Sequence, residues 1–182
     1  MRSSDRGTVE RRYLLLPGIA SSRIYVLDTK PDPRKPTLVK TIEAKEIADR
    51  ADYSNPHTVH CGPEGIYVSA TGGPGGIFML DHDNFEVMGR WELDRGPQFY
   101  AYDFWWHLGH DVMVTSEWGT PPMVKSGVIP EKLLAGEYSN GINFWDLRRR
   151  KHMQRVELGK QYQMVLELRP GSTSTAYGRA RW

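Results

Sequence analysis

Three short stretches decide the fold of this chain: IYVLD at residues 24–28, IFMLD at 77–81 and INFWD at 142–146. Each is rich in β-branched and aromatic residues and ends in aspartate, which is typical of a strand that stops at a turn. A second β-like run follows each aspartate, at 37–42, 85–91 and 152–158. Each pair of runs is therefore predicted to form a β-hairpin.

A further pair of predicted strands precedes two of the three hairpins. Runs at 57–60 and 66–70 come before the second hairpin, and runs at 100–106 and 112–118 come before the third. The aspartates recur at intervals of 53 and 65 residues, near the roughly 40–50 residues of β-propeller repeats. The sequence thus predicts an all-β fold of propeller type, with two four-stranded blades and a partial third.

The predicted blades occupy one continuous part of the chain. Residues 1–12 are expected to be a polar N-terminal extension, 13–168 a partial β-propeller and 169–182 an irregular tail. A long insert at 119–141 contains PEKLL at 130–134, which predicts a short helical turn. Because two blades and a hairpin cannot close a ring of about four to eight blades, we expect open edges that favour self-association.

Composition narrows the class of protein and its partners. The chain has 182 residues, 39% of them hydrophobic and 25% charged, as in globular proteins. A net charge of +2 is too small to produce the strong positive electrostatic field typical of nucleic-acid-binding proteins, so no nucleic-acid partner is predicted. The longest apolar run, 13–20, is too short for a membrane span and is interrupted by Pro17. The chain has a single cysteine, Cys61, which is typical of proteins in a reducing compartment, so we expect a cytoplasmic location. The alternative is the periplasm, if an upstream export signal is missing from the sequence.

Histidines near strand ends are the first candidates for chemistry. His57 and His60 stand three apart, so on a regular strand they should point to opposite faces, and His60, which precedes a turn, is the preferred ligand. His110 lies in the corresponding turn of the next predicted blade and could converge with His60. Imidazole suits copper or zinc, and the neighbouring Cys61 is a possible thiol ligand. The alternative is that these histidines bond backbone carbonyls and that Cys61 is a small buried hydrophobe.

Two acidic residues flank the same predicted blade. Asp103 and Glu117 could orient a histidine ring by accepting a hydrogen bond from it, or could act as acid and base. The alternative is that they cap strand ends and pair with residues on neighbouring strands. The aspartates that recur with the repeat are assigned a turn-forming role in each blade. The aromatic run at 104–106 is predicted to be core between blades, and the basic run at 148–151 to be a solvated hairpin tip.

Several uncommon strings carry a family resemblance. They are LP at 16–17, SSRIYV at 21–26, HTVHC at 57–61, YDFW at 102–105 and SEW at 116–118. In these strings the chain resembles the selenium-binding protein family, whose bacterial members include methanethiol oxidases, from about residue 13 to residue 168. The resemblance implies a seven-bladed propeller and copper-dependent oxidation of a small thiol, methanethiol, to formaldehyde, hydrogen sulfide and hydrogen peroxide. It also matches His60 and His110 to histidines associated with the metal site.

The resemblance leaves the activity of this particular chain open. Family members have a further segment with a histidine pair and clustered cysteines, and several more blades, so the chain alone is expected to be too incomplete to be active. The alternatives are a non-catalytic propeller scaffold that binds selenium or a metal, and an inactive product of a truncated gene.

Overall fold

A computed structural model describes residues 11–62 and 64–169, which form three antiparallel sheets. The first sheet has the order β1-β2-β3 and comprises Tyr13–Gly18, Arg23–Asp28 and Thr37–Ile42. The second has the order β4-β5-β6-β7 and comprises Pro56–Cys61, Ile66–Ala70, Ile77–Leu80 and Val87–Arg90. The third has the order β8-β9-β10-β11 and comprises Phe104–His107, Val112–Ser116, Gly141–Asp146 and Lys151–Glu157.

Short helices lie between the strands of the described chain. Helix α1 spans Ala44–Ala51 and connects the first sheet to the second. Helices α2 and α3 span Pro121–Ser126 and Pro130–Ala135, both in the predicted insert, and a single 3₁₀ turn covers Lys160–Tyr162. Among the helices of residues 11–62 and 64–169, none has the length and apolarity needed to span a bilayer.

The repeat predicted from the three aspartate-ended stretches is present in the structure. The stretches form β2, β6 and β10, and the second and third hairpins extend into four-stranded sheets as predicted. Each aspartate side chain accepts a hydrogen bond from the backbone N–H two residues later, which confirms the turn-forming role. The three bonds run from Lys30 N to Asp28 (2.9 Å), from Asp83 N to Asp81 (2.8 Å) and from Arg148 N to Asp146 (3.1 Å).

The first unit differs from the prediction by one strand. It is a three-stranded sheet, because residues 13–18 pair along their whole length with β2, for example Leu14 with Leu27. Pro17, which interrupts the apolar run, is tolerated because β1 lies at the edge of its sheet.

Other segments also differ from the sequence-based prediction. The run at 100–106 is a strand only from Phe104 onward. The helical turn at 130–134 is confirmed as α3, whereas α1 was not predicted. Most of the predicted N-terminal extension and tail, residues 1–10 and 170–182, lies outside the described residues.

Two apolar clusters hold the three sheets together face to face. The first joins the first and second sheets and includes Ile24, Val26, Phe78 and Leu80, with Ile47 of α1. The second cluster joins the second and third sheets, and its largest members are aromatic: Tyr67, Trp91, Phe104 and Trp145. The middle sheet is therefore buried on both faces, which matches the prediction that the aromatic run near 104 belongs to the core between sheets.

Candidate functional site

His57 and His60 turn toward the same neighbour, the segment that leads into β8. The His57 ring stacks on Tyr102, with the ring centroids 4.1 Å apart, and its Nδ1 lies 3.1 Å from the Tyr102 carbonyl oxygen. The His60 ring packs edge-on against Trp105 and Phe104, at centroid distances of 4.5 and 5.0 Å. Both imidazoles are half-buried.

A β-bulge explains why the two histidines share a side. The register of β4 against β5 shifts between Pro56 and Val59, so two residues of β4, His57 and Thr58, lie opposite one residue of β5. A bulge of one residue reverses the alternation of side chains beyond it. The prediction that His57 and His60 face opposite sides is wrong, because His57 contacts Tyr102 and His60 contacts Trp105 on the same neighbouring stretch of chain.

Burial favours the neutral form of both imidazoles. It lowers the pKa of His57 and of His60 because the charged imidazolium loses solvation, and the nearby carboxylate of Asp103 offsets only part of this effect. The guanidinium of Arg169 lowers the pKa of His60 further. A neutral imidazole is the form that ligates a metal ion.

The Nε2 atom of His60 is buried without a hydrogen-bond partner among the described residues. Buried polar atoms in folded proteins nearly always have a partner. Five other buried side-chain atoms of the described residues also lack one, among them Trp91 Nε1 and Trp118 Nε1. The His60 nitrogen differs from these because imidazole is the side chain that most often ligates metal ions.

Asp103 closes one side of the histidine site. Its side chain is buried, and its Oδ2 accepts hydrogen bonds from Leu168 N at 2.7 Å and from Arg169 Nη1 at 3.3 Å. The Arg169 guanidinium also lies over the Trp105 ring, 5.5 Å from its centroid. Asp103 thus acts on the histidines through its charge while its hydrogen bonds fasten residues 168 and 169 beside them. The sequence had not indicated Tyr102, Trp105 or Arg169 as parts of this site.

Glu117 belongs to a different network. Its Oε2 lies 2.7 Å from Arg155 Nη1, and its Oε1 accepts hydrogen bonds from Asn143 Nδ2 and Phe99 N, both at 3.3 Å. The carboxylate is buried and its partners lie on two strands of the third sheet and the loop before it. This arrangement corresponds to the alternative of cross-strand pairing.

His110 lies in the turn between β8 and β9 and is exposed. Its ring stacks on His107 at a centroid distance of 4.3 Å, and its backbone N–H donates to His107 Nδ1 at 3.1 Å. Within the described residues, the ring contact of His110 is thus with His107, which is the last residue of β8. His57 and His60 make their contacts with 102–106 instead.

Cys61 follows His60 at the end of β4 and is exposed. Atoms packed around the thiol nevertheless displace enough water to raise its pKa, which disfavours the thiolate that a metal would require. In the part of the chain that the structure describes, no three side chains of His, Cys, Asp or Glu are grouped closely enough to hold a metal ion. Two imidazoles are fewer than the three or four ligands that stable metal sites have.

Comparison with known proteins decides the family. Residues 2–178 match the model of the family described as SBP56, 56kDa selenium binding protein. The chain belongs to this selenium-binding protein family. Two relatives are a methanethiol oxidase of Danio rerio, 39% identical over 171 residues, and selenium-binding protein 2 of Mus musculus, 41% identical over 157 residues. The family resemblance seen in the sequence is thereby confirmed.

A solved structure of the family supports the fold. The X-ray structure of a hypothetical selenium-binding protein from Sulfolobus tokodaii is 53% identical and superposes with a TM-score of 0.82 over 89% of this chain. The chain covers 36% of that structure, 37% of the Danio rerio relative and 33% of the Mus musculus relative. It therefore spans about a third of the length of these family members.

Proposed function

We propose that this chain carries part of the active site of a copper-dependent methanethiol oxidase, with its three sheets arranged as consecutive blades of a propeller. The buried, unpartnered Nε2 of His60 is the observation that carries the proposal, since it leaves one metal-binding nitrogen without a protein partner. The methanethiol oxidases among the relatives support a small thiol as substrate. The whole reaction is a property proposed for the complete site, to which this chain contributes a share.

The proposed reaction converts methanethiol, oxygen and water into formaldehyde, hydrogen sulfide and hydrogen peroxide. The thiol carbon is oxidised by two electrons and oxygen is reduced by the same two electrons, so that atoms and electrons balance. Copper, when bound, would supply the electron transfer between thiol and oxygen.

The residues of this chain have three roles in the proposal. His57 and His60 hold the metal as neutral imidazoles. Phe104 and Trp105 form an apolar wall against the His60 ring and exclude water from that side. Asp103 places a negative charge near both rings, which favours a bound cation, and its ion pair with Arg169 at 3.3 Å offsets part of that charge. We include His110 as a further ligand candidate only if its turn moves closer to His60.

A second function is favoured by the ligand count. The described residues do not complete a metal site, and one relative is named a selenium-binding protein. A non-catalytic scaffold that binds selenium or a metal would not need the substrate and oxygen positions that an oxidase requires. For either function we propose the cytoplasm, because the exposed thiol of Cys61 is compatible with a reducing compartment.

Copper binding and turnover test the proposal separately. We expect the chain to bind copper, measured by isothermal titration, and expect His60→Ala to weaken binding at least about tenfold. The matched control is His152→Gln, because His152 Nε2 already bonds Asn143 Oδ1 at 3.0 Å and lies on the outermost strand of the third sheet. Equal weakening in both variants would contradict the site.

Turnover distinguishes the two functions. Because this chain contributes only a share of the proposed site, the assay uses a preparation in which the complete site is assembled and loaded with copper. This preparation is incubated with methanethiol and oxygen, and hydrogen sulfide and hydrogen peroxide are measured. Product that disappears in His60→Ala supports the oxidase. Copper binding by the complete site without any product contradicts the oxidase and supports the scaffold.

A further inference from the structure

A cavity of about 380 Å³ lies where three segments of the described chain meet. Its walls are residues 54–55 before β4, residues 72–73 in the loop between β5 and β6, and residues 121, 122 and 125 of α2. Its volume falls in the range of about 300–1,000 Å³ that is typical of small-molecule sites. The function proposed above uses none of these residues, so the cavity is free for a separate role.

Backbone hydrogen bonds hold the first two walls together. Thr71 N donates to the Asn55 carbonyl at 2.9 Å, and Gly72 N donates to the Ser54 carbonyl at 3.0 Å. Glycine at position 72 permits this close approach, because a Cβ there would overlap the Ser54 hydroxyl oxygen. The position of one wall relative to the other is therefore fixed before any ligand binds.

Aromatic packing holds the third wall. Met123 of α2 is buried in a cluster with Tyr100, Trp118 and Tyr138. The Tyr100 hydroxyl also accepts hydrogen bonds from Trp118 N at 2.8 Å and from Gly119 N at 2.5 Å, which fixes the chain that leads into α2. A ligand that enters a preformed cavity of this kind does not bear the cost of ordering its walls.

Asn55 supplies a hydrogen-bond acceptor to the cavity. Its side chain is 6% exposed, and its Nδ2 donates to the Ile19 carbonyl at 2.7 Å. Its Oδ1 has no hydrogen-bond partner among the described residues, yet it is not enclosed by protein. Because Asn55 lines the cavity, this oxygen opens into it. Polar atoms of largely buried side chains nearly always have a partner, so the oxygen matches a donor group on a ligand.

Lys125 and Gly73 supply a positive charge and a further donor. Lys125 is exposed and makes no ion pair with another described residue. The N–H of Gly73 donates to no backbone carbonyl of the described chain. None of the described residues that line the cavity is acidic, so the charge of Lys125 is not neutralised locally. A carboxylate fits these groups because charge-assisted hydrogen bonds are the strong ones.

We propose that this cavity binds a free apolar amino acid. The carboxylate of the ligand bonds Lys125 and the Gly73 N–H, its ammonium group donates to Asn55 Oδ1, and its side chain packs on the rings of Pro121 and Pro122. One zwitterion thus satisfies the charge, the acceptor and the apolar wall, whereas an inorganic anion would leave the proline rings without a partner. The site needs no metal and does not depend on the oxidase or scaffold function proposed above.

Isothermal titration of the metal-free chain with L-phenylalanine tests the charge. We expect saturable binding at one site, and we expect Lys125→Gln to weaken it at least about fivefold. The matched control is Lys35→Gln, which removes the same charge from an exposed lysine in the loop between β2 and β3, outside the cavity. This control should bind as the wild-type chain does. An absence of saturable binding by the wild-type chain, or equal weakening in the two variants, would overturn the proposal.

Analogues of the ligand test the other contacts. Phenylalaninamide lacks the carboxylate and phenylpropanoate lacks the ammonium group, so each should bind at least about fivefold more weakly than L-phenylalanine. The Asn55 contact is tested on the ligand because replacing Asn55 would also remove its bond to the Ile19 carbonyl. Binding of either analogue as tight as that of L-phenylalanine would contradict the assigned contacts.

Discussion

At the scale of single residues, loss of solvation on folding decides which histidine side chains favour the neutral form. His57 and His60 are half-buried against aromatic rings, whereas His110 is exposed on a turn. Burial removes water from an imidazole and thereby disfavours its protonated form. The same atoms that pack the histidines thus keep them in the neutral form that a metal needs.

This burial has a measurable effect on stability. The pKa of His57 and of His60 in the folded chain lies below the ordinary value of 6.5, so the unfolded chain takes up protons first as the pH falls. The free energy of unfolding should therefore be highest above about pH 6.5 and should fall until the pH drops below the folded-state pKa values. We expect the double variant His57→Gln/His60→Gln to lose less stability than wild type between about pH 7 and about pH 5 in urea titrations.

The matched control for this titration is Leu134→Ala, because Leu134 is 89% exposed and carries no titratable group. It should follow the wild-type pH profile. Parallel profiles for all three proteins would show that burial of His57 and His60 does not contribute to acid destabilisation.

At the scale of elements, the helix between the first two sheets is held by tertiary packing. Helix α1 has eight residues, too few to be stable alone in water. It buries Ile47 and Ala51 in the cluster that joins the first two sheets. Arg50 Nη1 also donates to the Val87 carbonyl at 3.0 Å, which connects the helix to the last strand of the second sheet.

Removing the buried side chain should therefore weaken the whole domain. We expect Ile47→Ala to lower the free energy of unfolding by about 3 kcal/mol, because the deletion leaves a cavity in the core. Leu134→Ala is the control, since Leu134 lies in α3 with 89% of its surface exposed, and its effect should stay within about 0.5 kcal/mol. Chemical denaturation measures both variants. Similar losses in the two would mean that α1 is not anchored by Ile47.

At the scale of the whole molecule, the sheets are stacked so that each contacts only its neighbours. The middle sheet participates in both apolar clusters, and the outer sheets participate in one each. Stability in such an array is the sum of the units and of the interfaces between neighbours. The outer sheets should therefore open more readily than the middle one.

Hydrogen exchange can measure this gradient in three comparable strands, because β2, β6 and β10 each lie between two paired strands. We expect the amides of β6 to exchange more slowly than those of β2 and β10, because the middle sheet takes part in both apolar clusters. Equal protection in the three strands would indicate a single cooperative unit in place of stacked sheets.

The sequence by itself determined the repeat and much of the fold. Alternating strands and aspartates that bond the backbone two residues later are local features, so β2, β6 and β10 and their turns could be predicted. The run of uncommon strings also identified the family. Helix α1 could not be predicted because its only strong apolar signal is Ile47, and edge strand β1 was obscured by Pro17.

Only the tertiary structure decided the site. The bulge in β4 between Pro56 and Val59 depends on pairing with β5, and without it the regular alternation would point His57 and His60 to opposite faces. The contacts of Asp103 with residues 168 and 169 join positions far apart in the chain. The physical reason is that local rules fix the direction of a side chain only on a regular element, whereas irregular pairing and burial depend on the packed neighbours.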